Sequence, residues 1–198
     1  SCVIDSRLGA KAIRAVSEVF ELNEKQIRIN PLISENNLPE VRGVALDANQ
    51  AQISVRKVPD EPGTAASICS SLAENSISLD TIVQSERKHE DGSKDISFTL
   101  SKNNLKEAKN ALIPLLGNWP EAEIKDGPEI AKVSAVGAGM PTTKGTAARM
   151  FRALARAGIN IEMIATSEIR TTCVVQENKG VEALKVVHDC FNLNKTEG

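Results

Sequence analysis

The side chains best suited to nucleophilic or metal chemistry here are four cysteines and two histidines, and neither set is spaced for it. Cys2, Cys69, Cys173 and Cys190 form no Cys-x-x-Cys pair, and His89 and His188 lie far apart. A closed zinc site needs four ligands at close spacing, so no metal site is expected. Cys69 and Cys190 fall at apolar positions of predicted helices, where a free thiol packs as a small core residue. Two distant histidines are poorly placed to serve Ser or Cys as a base. The carboxylates are scattered over turns and helix surfaces, with no pair that divides into an acid and a base. No catalytic residue is expected in this chain.

Two glycine-containing stretches could instead hold phosphate. Val136-Gly137-Ala138-Gly139-Met140 follows a strand pattern, but Thr142 occupies the third glycine position of a dinucleotide loop. In Gly139–Thr146, Lys144 precedes Gly145, the reverse of the order a phosphate loop requires. A turn that needs glycine's backbone freedom explains both.

Bulk properties narrow the class further. Apolar residues make up 41% and charged residues 25%, as in an ordinary globular chain. With a net charge of −2 and a pI of about 5.8 there is no basic footprint for nucleic acid. No apolar run reaches the roughly 18 residues that would suggest a membrane span. Ser1 opens into Cys2-Val3-Ile4 without the regions of a signal peptide, which implies a cytoplasmic location or maturation inside an organelle.

The elements that would position any site are repeated. Gly63–Glu86 (GTAASICSSLAENSISLDTIVQSE) returns 82 positions on as Gly145–Glu168 (GTAARMFRALARAGINIEMIATSE), with Pro59 echoed by Pro141. A second repeat relates Ser1–Leu22 to Thr172–Leu193, pairing Cys2 with Cys173, Gly9 with Gly180, Ala12 with Ala183 and Phe20 with Phe191. The chain thus opens with the tail of a unit whose full copy closes it, and we expect a piece of a longer tandem protein.

Within each copy the periodicity changes in a fixed order. Ala51, Ile53 and Val55 alternate with polar residues as a half-buried strand does, and a turn follows at Pro59–Gly63. Ala65, Ile68, Cys69 and Leu72 then fall at helical spacing, as do Ala147, Met150, Phe151 and Leu154 in the second copy. Asn75 and Gly158 mark helix ends as residues tolerant of positive φ. Residues 77–86 form a strand, Lys88–Lys94 a turn carrying Asp91-Gly92, and Ile96–Leu100 the return strand. A helix over 104–116 and a closing strand over 121–125 complete a βαββαβ unit, an antiparallel sheet with helices on one face. The second copy predicts strand 130–137, helix 145–157, strands 160–169 and 171–176, and helix 180–192. It lacks a final strand, which the spare segment Val41–Asp47 could supply, interlocking the two units.

The expected division is therefore 1–22, a remnant strand and helix of a preceding unit; 23–40, a linker; 48–128, an inserted unit; 41–47 plus 129–193, the second unit; and 194–198, a tail. Such sheets also bind RNA by stacking bases on aromatic side chains, but this chain has no Tyr, one Trp and four Phe.

Several stretches resemble the regulatory region of aspartate kinases. They are Val58–Ala66 (VPDEPGTAA), Val83-Gln84, Asp95–Thr99 (DISFT), Val41–Asp47 (VRGVALD), Val136–Met140, and Ile159–Ile164 with Ala165–Ile169. The resemblance runs over 41–193 in order. It implies an α+β fold of two interlocked ferredoxin-like ACT domains, the strand at 41–47 completing the second. The repeat at 1–22 is similar to the arrangement, typified by cyanobacterial enzymes, with two such pairs in tandem. The kinase domain is not in this chain, so ATP and magnesium are expected only there.

The resemblance further implies a feedback amino acid, lysine and/or threonine, controlling aspartate phosphorylation. It also implies contact with the kinase domain and preceding ACT pair of the same chain. Physical reasoning agrees about the receptors. The helix after Gly63 offers free N–H groups to a ligand carboxylate, Gly63 permits close approach, Asp60 can pair with the ammonium, and Gln84 can bond a hydroxyl or amine. By family pattern Asn160 and Ile161 close the pocket and Ala65 contributes backbone. The competing readings are a turn cap for Asp60, an exposed strand residue for Gln84 and a strand start for Asn160. By pseudo-symmetry a second site would use the Met140–Ala147 turn with Ser78 and Leu79, although Ser78 replaces the counterpart Asn and Thr143-Lys144-Gly145 lacks Pro before Gly. Exposed sheet and helix edges imply a homodimer. The alternatives are an ACT sensor of another biosynthetic enzyme and a dimerisation module with a vestigial site.

Overall fold

The computed structural model describes residues 5–21, 39–140 and 143–193. The chain divides into two units, Ser1–Asn37 and Leu38–Gly198. In the first, a 3-10 turn at Ser6–Leu8 leads into α1 (Gly9–Val19), none of whose residues is buried. The strand expected ahead of this helix, Cys2 included, and nearly all of the expected linker lie outside the described residues.

In the second unit alternation of apolar and polar residues sets the strands, and stripes at a spacing of four set the helices. In chain order they are β1 (Gly43–Val58), α2 (Thr64–Glu74), β2 (Leu79–Gln84), β3 (Lys94–Ser101), α3 (Leu105–Leu116), β4 (Glu123–Val136), α4 (Thr146–Arg156), β5 (Met163–Thr166), β6 (Arg170–Gln176) and α5 (Gly180–Cys190). All strand pairs are antiparallel, and one six-stranded sheet runs β2-β3-β1-β4-β6-β5. Helices cover one face, as the α+β reading expects.

The segments expected as separate strands at 41–47 and 51–55 are one strand, and those at 121–125 and 130–137 are another. β1 and β4 lie side by side from Gly43↔Val136 to Arg56↔Glu123, with a register shift between Asp47 and Gln50 and a second between Ala51 and Ile53. Each shift inserts one residue in one strand, which resets the alternation. Val44 and Leu46 can then face the helices on one side of a shift, and Ile53 and Val55 on the other.

Two cores result. The first joins Ile53, Val55 and Phe98 to Ile68, Leu72 and Leu112; the second joins Val133, Ala135 and Cys173 to Met150, Leu154 and Val187. In α2 the buried stripe is Thr64, Ile68 and Leu72, and in α4 it is Thr146, Met150 and Leu154. Ala65, expected in the stripe, is exposed instead. Gly158 has the expected positive φ (67°), but after α2 the left-handed residue is Ser76 (φ 58°), not Asn75.

Candidate functional site

β1 ends at Val58, which pairs with Lys94 at the start of β3, while β2 ends at Gln84 opposite Ile96. The Pro59–Gly63 turn therefore leaves the sheet at the end where the β2–β3 hairpin projects. Asp60, in that turn, meets Lys88 Nζ at 2.7 Å and Lys94 Nζ at 3.2 Å. Hydrogen bonding to Lys88, then to Lys94, holds its carboxyl below the usual carboxylate range. Asp60 thus binds ammonium groups, but those of its own chain.

Gly63 caps α2 with φ 106°, a conformation that disfavours any side chain, and no side chain caps this helix start. Thr64, in the first turn, is 6% exposed, and its Oγ1 is buried without a hydrogen-bond partner. Ala65 follows, exposed, and Gln84 is exposed at the end of β2. Asp60, Gly63, Ala65 and Gln84 accordingly belong to one end of the first repeat. A cavity of about 450 Å3 beside Asp60 is lined by Pro59, Lys88, Gly92, Trp119 and Glu121, and Gly63, Ala65 and Gln84 are not part of its wall.

Asn160 and Ile161 lie between α4 and β5, ahead of the strand rather than in it as expected. Asn160 Nδ2 donates to Glu162 Oε1 at 3.1 Å, and Ile161 packs against the second core. β5 and β2 are opposite edges of the sheet order, and Asn160 and Ile161 do not line the Asp60 cavity. Within one chain the structure does not bring these two residues to the other four.

The pseudo-equivalent turn is also a cavity wall. Met140, Thr143, Gly145 and Ala147 line about 540 Å3 together with Ser167 and Glu168. Ser78 and Leu79 are not part of it, and Pro141 and Thr142 lie outside the described residues. Here Thr146 Oγ1 donates to Thr143 O at 3.3 Å, so the hydroxyl left unpaired in α2 is paired in α4.

Two polar features escaped sequence reasoning. Lys132 is 4% exposed on the helix-free face and contacts Asp80 of edge strand β2. Burial lowers its pKa, Asp47 opposes this and Arg170 adds to it. A lone lysine in the run Ile130–Val136 was the available signal. Glu40, assigned to the linker, accepts from Arg149 Nη1 at 2.5 Å, while Arg149 Nη2 donates to Cys190 O at 2.6 Å. Arg149 also sits 4.8 Å from the Phe191 ring centre. Burial pushes the Cys173 thiol up to about 12 and raises that of Cys69. Among the described residues no group of three His, Cys, Asp or Glu could hold a metal, and no helix is long and apolar enough to cross a membrane.

The scaffold is a repeated α+β unit, an antiparallel sheet with helices on one face and a glycine at the start of α2 and of α4. Residues 133–191 match the ACT domain family. The chain is 43% identical over 156 residues to an aspartokinase of Thermus thermophilus, covering 78% of this chain and 38% of that protein. It is 41% identical over 157 residues to an aspartokinase of Helicobacter pylori, covering 79% and 38%. The crystal structure of aspartate kinase from Synechocystis superposes with a TM-score of 0.88 at 46% identity, over 100% of this chain and 33% of that one. The ligand-free regulatory subunit of aspartate kinase from Thermus thermophilus gives 0.71 at 41% identity, over 77% of this chain and 99% of that one. The chain belongs to the ACT-domain regulatory regions of the aspartate kinase family. It spans 38% of the length of these curated relatives.

Proposed function

We propose that this chain is the feedback-sensing region of a cytoplasmic aspartate kinase, binding lysine and/or threonine to control phosphorylation of aspartate by a kinase domain of the same protein. The observation that carries this reading is the start of α2, where the Asp60 carboxylate lies in the turn before a glycine-capped helix with a buried, unpaired Thr64 hydroxyl. An amino acid supplies the complement of that set: a carboxylate for the helix N–H groups and an ammonium for Asp60. Lys88 and Lys94 are the internal competitors for Asp60, so a bound ammonium would loosen their hold and pass the event to the β2–β3 hairpin.

Asn160 and Ile161 would come from a second copy. Apolar residues on both sheet edges favour such pairing: Ile82 and Val83 of β2 and Ile164 of β5 are all at least 40% exposed. In this reading 48–128 is one ACT domain, 41–47 with 129–193 is the other, and 1–22 belongs to a preceding pair. Calorimetry with lysine and threonine tests it. Saturable binding at about 1 mM to 1 μM, roughly −4 to −8 kcal/mol, is expected and should vanish in Asp60→Ala. A stable dimer that binds neither would instead support a dimerisation module.

A further inference from the structure

The first repeat carries a segment that the second lacks. Nine residues, Ser85–Ser93, join β2 to β3, whereas the three residues Ser167–Ile169 join β5 to β6. The longer connection brings Arg87, Lys88 and His89 in succession, and with Lys57 they border a cavity of about 590 Å3. Lys57 lies in the register break of β1 between Val55 and Val58 and has φ 54°. A lysine keeps that conformation only where its surroundings hold it. Asp95 does so, its Oδ1 accepting the Lys57 N–H at 3.0 Å. The irregularity re-aims Lys57, as such breaks do.

The surrounding charges separate into engaged and available. Asp95 is occupied by His89 Nε2 at 2.8 Å and Arg56 Nε at 3.5 Å, and Asp91 by the Ser93 backbone N–H and hydroxyl. Lys88 is held by Asp60, and Glu90 is exposed at the wall. The Lys57 ammonium lies 4.0 Å from Glu121, and its charge is also felt by Asp91. The Arg87 carbonyl accepts the Ser85 hydroxyl, while its guanidinium has no ion pair among the described residues. With Nε2 committed to Asp95, protonation of His89 adds Nδ1–H as a further donor. Of the two cavities that border the equivalent turn of the second repeat, one has no basic residue in its lining and the other has Arg170 alone.

We propose that this cavity binds a phosphate-type dianion, free or carried on a phosphorylated small molecule. Arg87 supplies the planar fork, Lys57 a point charge and His89 a proton-dependent donor. The test is calorimetry on the whole chain with sulfate, whose charge is constant between about pH 6 and about pH 8, a span over which imidazoles in general gain or lose a proton. Saturable binding is expected, tighter at the lower pH, with affinity falling about tenfold in Arg87→Gln. In His89→Gln the pH dependence should disappear. Inorganic phosphate and adenosine monophosphate distinguish the source: equal affinities indicate the free anion, and tighter monophosphate binding with the same Arg87 dependence indicates a carried one. No saturable binding of any of the three at millimolar concentration, or binding indifferent to Arg87→Gln, overturns the proposal. No amino acid enters these titrations, so the outcome is independent of ligand binding at Asp60.

Discussion

Lys102 and Glu177 open the equivalent turns that lead into α3 and α5, and they hold each other. Lys102 Nζ lies 3.2 and 3.0 Å from the two Glu177 carboxylate oxygens, with Glu129 a second partner at 3.3 Å. The Glu177 hydrogen bond is the main cause of a raised Lys102 pKa. The two repeats are thus clasped through corresponding positions of opposite charge. Charge reversal in Lys102→Glu should lower Tm by about 2–4 °C and be largely repaired by adding Glu177→Lys. The deficit should shrink in high salt, because the clasp is solvent-accessible. Equal Tm values for the single and double variants would dissociate the pair from stability.

Two cores threaded by common strands should not melt separately. Trp119 packs against the first core and is the only tryptophan, so its fluorescence reports that half. Leu154 is fully buried in the second core. Leu154→Ala should cost about 2–5 kcal/mol and move the Trp119 transition in urea together with the circular dichroism transition. A Trp119 midpoint that stays put would mean the halves unfold independently.

Gly137 sits at a tight backbone crossing in the second half. A Cβ there would run into the Glu40 carbonyl oxygen and lie 2.7 Å from Val41 Cα, and neither is a flexible side-chain end. Gly137→Ala should therefore destabilise by at least about 1–3 kcal/mol through forced displacement of residues 40–41. Denaturant unfolding gives the number directly, and Gly43→Ala is a control, since nothing lies within 4 Å of its added Cβ.

The β2–β3 hairpin should give way in acid. Burial pushes the Asp95 carboxyl up, but the His89 hydrogen bond, the Lys57 N–H and the charges of His89 and Arg56 outweigh it and leave the pKa lowered. A carboxylate whose folded pKa lies below its unfolded value stabilises fully above the latter, and that contribution fades as pH falls through the former. Asp60 and Asp91 are lowered as well, so the window for all three lies below their ordinary value of 3.8. Asp95→Asn should be less stable at neutral pH and lose less stability on acidification below about pH 4. Parallel stability–pH curves for parent and variant would rule this out.

The sequence revealed most of the elements because alternation and four-residue stripes are local. It hid the continuity of β1 and β4 because a bulge shifts the phase, so one strand reads as two. The unit boundary expected after Pro128 falls inside β4 for the same reason, and Pro, lacking an N–H, is tolerated at an irregular ladder position. At the site, Asp60 and Gly63 were legible from the Pro-Asp-Glu-Pro-Gly turn. The Lys88 and Lys94 contacts depend on how the hairpin folds back. Glu40 and Arg149 are 109 positions apart, and no local pattern joins them.

The proposed amino-acid site is completed by two copies of the chain. Calorimetry with lysine and threonine on Asp60→Ala, Asn160→Ala and their equimolar mixture, after exchange of subunits, tests it most directly. Each variant alone should show no saturable binding. The mixture should recover roughly one quarter of the parental sites, since half the dimers are mixed and each restores one of two sites. A mixture as silent as its parts, or an Asn160→Ala variant that binds like the parent, would contradict the account.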